Sequence, residues 1–213
     1  MLQNDDLEVF YKILAFLFLG IIFKFVLKAF LENDKKEFNE SLNQNTDLKV
    51  PKDYVLEIPI EVSDKINQVN WKDFKTAYGN AENTIPLYLR NLFSTNYEIA
   101  FEATHNLWCS LCHQHAFISS ASLPSYDILK FGVINLNDEL KIEILDIFKG
   151  FSYCTSKDYY SEITTPIPTW EKLLKEELIS DIVIFKELAF HNDELISSFA
   201  KDIIADLTDE ELK

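Results

Sequence analysis

Apolar side chains along the chain fall mostly at steps of three and four, the spacing that gathers them on one face of a helix. Ile85, Leu89, Leu92 and Phe93 make one such face, with Thr84 placed to cap it and Pro86 in its first turn. After a polar break at Ser94-Thr95-Asn96, Ile99, Ala103, Leu107 and Leu111 step by four, and Ala100 and Trp108 widen the stripe. A third helix is expected after Pro124, from near Ser125 to Val133 or Ile134. Asn137 reads as the cap of a fourth, because Asp138 and Glu139 suit the positive end of a helix and the run LKIEILDIFKGF follows. Residues 156–169 read as a surface loop. Trp170 to Phe190 and Asp193 to Leu207 read as two last helices, the second capped by Asn192.

Alternation by two occurs in YVLEIPIEV, residues 54–62, yet Pro59 removes a ladder donor and no partner strand is evident. An extended segment lying along the domain is therefore expected there. Four Gly and six Pro are too few for the tight turns of an all-β protein. The pattern predicts an all-α domain over 63–213, either a helical bundle or a short α-solenoid.

Ahead of it, residues 9–31 (VFYKILAFLFLGIIFKFVLKAFL) are the most hydrophobic part of the chain. Their uncharged centre, Ile13 to Phe23, is short for about 30 Å of hydrocarbon, but the whole segment spans it if Lys12, Lys24 and Lys28 reach toward headgroups. A membrane-anchor helix over 1–31 is the expectation, with 32–62 as linker and extended segment. Lys24, Lys28, Lys35 and Lys36 lie on the C-terminal side, which places the large domain in the cytoplasm under the positive-inside bias. Asp5, Asp6 and Glu8 in front of the segment argue against a cleaved signal peptide.

The net charge of −15, from 35 acidic and 20 basic side chains, changes the range of partners. Phosphate binding needs local positive charge, and no basic cluster follows Lys36, so nucleic acid is not an expected partner. A basic protein is, because complementary fields accelerate encounter. Three cysteines, Cys109, Cys112 and Cys154, suit a reducing compartment better than a disulfide framework.

The stretch WCSLCHQH, residues 108–115, invites a metal or haem reading. Zinc needs four converging ligands, whereas Cys109, Cys112 and His113 fan around one helix, and a second Cys-x-x-Cys is missing from the sequence. Covalent haem requires export, which the topology opposes. No cofactor, no metal and no catalytic residue is expected. His113 and Gln114, at the helix end, are read as structural caps.

Several residues together carry a resemblance. Trp71, then Ala77-Tyr78-Gly79-x-Ala81, then Pro86-x-x-Leu89-x-x-Leu92, then a helix closing on His113-Gln114, and Pro124 opening the next, resemble a bacterial family of HEAT-repeat-like proteins. The similarity covers about residues 70–134, and His115 stands where that family usually has glycine. The resemblance implies a helical-repeat scaffold used for protein contacts and no reaction. The function expected is protein binding, most concretely an immunity protein neutralising a toxin at the inner membrane. The alternatives are a HEAT-like DNA glycosylase-type enzyme and a membrane-tethered adaptor. Tyr97, Tyr159, Tyr160 and Trp170 are the expected partner-binding aromatics.

Overall fold

The structure is a computed structural model, described over residues 58–161 and 166–208. The anchor segment 9–31 and most of the linker lie outside the described residues. Those described form an all-α domain: α1 (Ile60–Gln68), α2 (Ile85–Asn91), α3 (Tyr97–Cys112), α4 (Ser122–Asn135), α5 (Asp138–Cys154), α6 (Lys157–Ser161), α7 (Thr169–Ser180), α8 (Ile182–Leu188) and α9 (Glu194–Thr208). A two-residue hairpin, β1 (Lys75–Thr76) with β2 (Gly79–Asn80), interrupts them between α1 and α2.

Helix α5 is the centre. It packs on α3 and α4 before it and on α9 after it, and buries Leu140, Ile144, Leu145, Ile147, Phe148 and Phe151. Its start is fixed as the sequence suggests: the Asn137 side chain accepts from the Leu140 N–H at 3.0 Å. Phe148 lies edge-on to Tyr126 of α4, to Phe151 of α5 and to Phe185 of α8, so one ring ties three helices together.

Several expected boundaries move, each for a physical reason. Of the segment 54–62, residues 54–57 lie outside the described residues, and Ile60–Val62 are not extended but open α1, whose Val62 and Ile66 are buried. Asn96, whose Oδ1 accepts from the Glu98 and Ile99 N–H groups, caps α3, while Thr84 makes no side-chain cap for α2. Helix α4 begins at Ser122, earlier than expected, because Pro124 in its first turn removes no helical hydrogen bond. Within the expected loop 156–169, residues 157–161 form the single turn α6. The helix expected over 170–190 breaks at Asp181. Its carboxylate is drawn to α4, 3.0 Å from the Tyr126 hydroxyl and 2.7 Å from Lys130 Nζ. Asp193 rather than Asn192 caps α9, accepting from the Leu195 and Ile196 N–H groups.

Two helical glycines allow close packing. A Cβ at Gly150 would lie 2.8 Å from the Cβ of Cys112 and 2.7 Å from Cδ2 of His115. A Cβ at Gly132 would meet Ile144 Cδ1 at 2.8 Å, the far end of a side chain that can turn away. Gly150→Ala should therefore cost about 1–3 kcal/mol of unfolding free energy, the usual range for overpacking. Gly132→Ala should be milder, offset by up to about 1 kcal/mol of helix propensity. Urea titration of both variants checks the order; equal losses would mean that Cys112 and His115 yield as easily as Ile144.

Candidate functional site

Helix α3 stops where its last carbonyls meet other donors. The Ser110 carbonyl accepts from the Ala77 N–H (2.9 Å) and the Ser119 hydroxyl (3.2 Å). The Leu111 carbonyl accepts from the Ser119 N–H (2.9 Å) and the Ser122 hydroxyl (3.0 Å). The hairpin turn Ala77-Tyr78 is thereby clamped to the helix end, and Gly79 is needed there because its φ is 141°.

Beyond Cys112 the chain makes a left-handed turn of three non-glycine residues, His113, Gln114 and His115, at φ 36°, 57° and 62°. Each such residue costs on the order of 1 kcal/mol. His113 is buried, its ring against Phe117 (4.8 Å) and edge-on to Tyr78 (5.7 Å), and its Nδ1 makes no hydrogen bond. Gln114 is exposed. The carbonyl capping expected of these two side chains is carried instead by Ser119, Ser122 and the hairpin.

His115 is the functional-looking member. Its Nε2 lies 2.9 Å from the Asp146 carbonyl and 3.2 Å from Asp146 Oδ1. Both can only accept, so Nε2 carries a proton and donates; the Trp108 indole N–H at 3.3 Å cannot bond to it at the same time. The bond to Asp146 is the main cause holding this imidazole above its ordinary pKa, opposed by burial.

The same ring lines an open cleft of about 390 Å³ with Lys149 and Tyr153 of α5 and Asp202, Ala205 and Asp206 of α9. Lys149 Nζ pairs with Asp202 at 2.7 Å. Asp206 accepts from the Ser152 hydroxyl at 2.8 Å, and burial raises its carboxyl above the usual range. The Tyr153 ring, 45% exposed, stands at the cleft edge-on to Tyr159.

The cysteines are thiols, not disulfides, each directed to a different partner. Cys109 Sγ lies 3.7 Å from His105 Nε2, Cys112 Sγ is directed to the Trp108 carbonyl at 3.3 Å, and Cys154 Sγ to the His115 carbonyl at 3.5 Å. Burial pushes the Cys154 thiol up to about 12 and raises the Cys112 thiol as well, so both rest as neutral thiols rather than as nucleophilic thiolates. Among the described residues no group of three or more His, Cys, Asp and Glu converges on a point fit for a metal ion.

The other sequence-flagged residues divide by role. Trp71 is buried and donates to the Ile66 carbonyl at 2.9 Å, while Pro86 and Pro124 sit in the first turns of α2 and α4. Of the expected contact aromatics, Tyr97 is exposed. Tyr159 is half-buried and donates to the Ala116 carbonyl at 3.1 Å. Tyr160 is half-buried under Lys175 Nζ, and Trp170 is the second residue of α7. His115 and the two cleft aspartates escape a reading of spacing, because α5 and α9 come together only through the fold. No family model matches this chain, and neither a curated protein nor a solved structure matches it.

The raised pKa of His115 fixes the sign of a pH effect. A folded state that holds the proton more tightly gains stability that is complete below the ordinary value of about 6.5 and lost as pH rises through the raised one. The urea midpoint should fall as pH rises above about 6.5, and His115→Gln should flatten that slope. An unchanged slope in the variant would assign the dependence to another group.

Proposed function

We propose that this chain is a protein-binding helical scaffold of HEAT-like type and, most concretely, an immunity protein that neutralises a cognate bacterial toxin. The observation that carries the reading is the cleft between α5 and α9. There a half-buried carboxylate, Asp206, is hydrogen-bonded by a neutral hydroxyl beside an exposed aromatic ring. A lysine or arginine side chain from a partner would meet Asp206 and the Tyr153 face together, a charge-assisted contact with a cation–π component. The net charge of −15 supports a basic partner on a larger scale, by speeding encounter. The same net negative charge repels phosphate, which disfavours the glycosylase-type alternative.

The HEAT-like part rests on residues whose positions make structural sense. Gly79 takes a positive φ, Pro86 a first helical turn, Trp71 a buried hydrogen bond, and the His113-Gln114 pair the left-handed helix exit. Among the described residues no helix is long and apolar enough to cross a membrane. Attachment is assigned to residues 9–31 on their sequence, with the helical domain on the cytoplasmic face of the inner membrane, a suitable post against a toxin that acts there.

Co-expression with the adjacent open reading frame tests the reading. The neighbour alone should arrest growth, the pair should grow and co-purify, and binding should weaken with salt chiefly through a slower on-rate. Asp206→Lys should abolish rescue. A neighbour harmless by itself, or no complex at low salt, rejects the immunity function.

A further inference from the structure

Helix α3 buries one side and leaves aromatic side chains on the other. Ala100, Ala103, Leu107 and Leu111 face the core. Tyr97, Phe101, His105 and Trp108, at steps of four, four and three, form a row on the outer side. Tyr97 and Phe101 are 45% and 42% exposed and stack at 5.8 Å; His105 and Trp108 stack at 6.1 Å. Trp108 then meets His115 edge-on at 5.9 Å, so the row runs up to the cleft. A solvent-facing helix side is ordinarily polar, and contiguous exposed apolar surface marks an interaction site.

The surroundings specify the occupant. Glu98 lies beside Tyr97 and Phe101 on α3, and α5 contributes Glu143 and Asp146, both interacting with the histidines at the far end of the row. Burial and the neighbouring Asp146 hold the Glu143 carboxyl above its usual pKa, so an added cation there would relieve like-charge repulsion. Phosphate-bearing polymers and anionic membranes are repelled by the same groups. The row spans roughly 16 Å, about three turns of helix.

We propose that the outer side of α3 is the docking strip for a short amphipathic helix of a basic protein. Its apolar side lies along Tyr97, Phe101 and Trp108, and its lysines or arginines meet Glu98 at one end and Glu143 and Asp146 at the other. This rests on the reading of the chain as a binder of a basic protein and names the surface that does it. A helix seated in this way uses side chains at i, i+3, i+4 and i+7 against the aromatic row.

The test uses the full-length chain and a fluorescently labelled leucine–lysine amphipathic peptide about four turns long. A scrambled peptide of identical composition has the same charge without an apolar side. The amphipathic peptide should bind, and the scrambled one much more weakly. Phe101→Ser, at an exposed position, should reduce affinity roughly tenfold. Glu98→Gln should give a smaller loss that disappears at high salt. Val183→Ser, at a 60% exposed position on α8, should change nothing. Equal binding of both peptides, or tighter binding of anionic vesicles or RNA, overturns the proposal, as does indifference to Phe101→Ser. If a native partner forms its complex and Phe101→Ser leaves it intact, the docking strip is wrong while the binding function stands; if no partner complex forms, it is the function that fails.

Discussion

At position 150 the main chain of α5 passes so close to the end of α3 that even one methyl group would lie 2.8 Å from the Cβ of Cys112. Glycine there is a positional demand, because the obstacle is the start of a side chain rather than its movable tip. From that contact the rest of the site follows. The end of α3 can rest on α5, the chain can leave it by the left-handed turn, and His115 arrives within 2.9 Å of the Asp146 carbonyl. With a larger residue at 150 the two helices must separate, and the wall that His115 gives the cleft moves with them.

The left-handed turn is costly, and its neighbours show what holds it. Three consecutive L-residues at positive φ amount to a few kcal/mol of backbone strain. Opposing this are four hydrogen bonds to the Ser110 and Leu111 carbonyls near the helix end, each worth about 1 kcal/mol net. The burial of His113 against Phe117 and Tyr78 and the tie from His115 to Asp146 add to them. Strain of this size persists only where the surroundings over-determine it. That condition is met here by the hairpin, the serines at 119 and 122, and α5 acting from three directions.

The parts of the fold that were legible in the sequence are those decided locally. Asn137 caps α5 because the cap and the N–H that it accepts from lie three residues apart. The buried stripe of α3 follows from its own spacing. What could not be read is set by partners distant in sequence. The break at Asp181 depends on Tyr126 and Lys130, more than 50 residues earlier. The exit from α3 depends on a hairpin of weak strand propensity held by the Ser110 carbonyl. The cleft joins residue 115 to residues 202–206 through the packing of α9 on α5, which no periodicity records. Tyr97 was legible as a candidate contact aromatic, not as an exposed one; the row to which it belongs becomes visible only when burial separates Phe101 and Trp108 from the core stripe beside them.

Charge connects the fold to its outer surface. Three lysines of the helical body tie separate elements together, Lys65 to Asp127, Lys130 to Asp181 and Lys149 to Asp202, while Lys130 to Asp127 and Lys141 to Asp138 are pairs within one helix. Surface pairs of this kind add little stability individually. Their greater effect is on the field outside, because each cation is neutralised where it stands and the surplus of carboxylates is left unopposed. That surplus destabilises the compact state by self-repulsion and attracts a cationic partner by the same Coulomb term. A basic protein bound along the α3 row and into the cleft would lower this repulsion as it buried the aromatics, so association would be favoured by relief of charge as well as by removal of apolar surface from water.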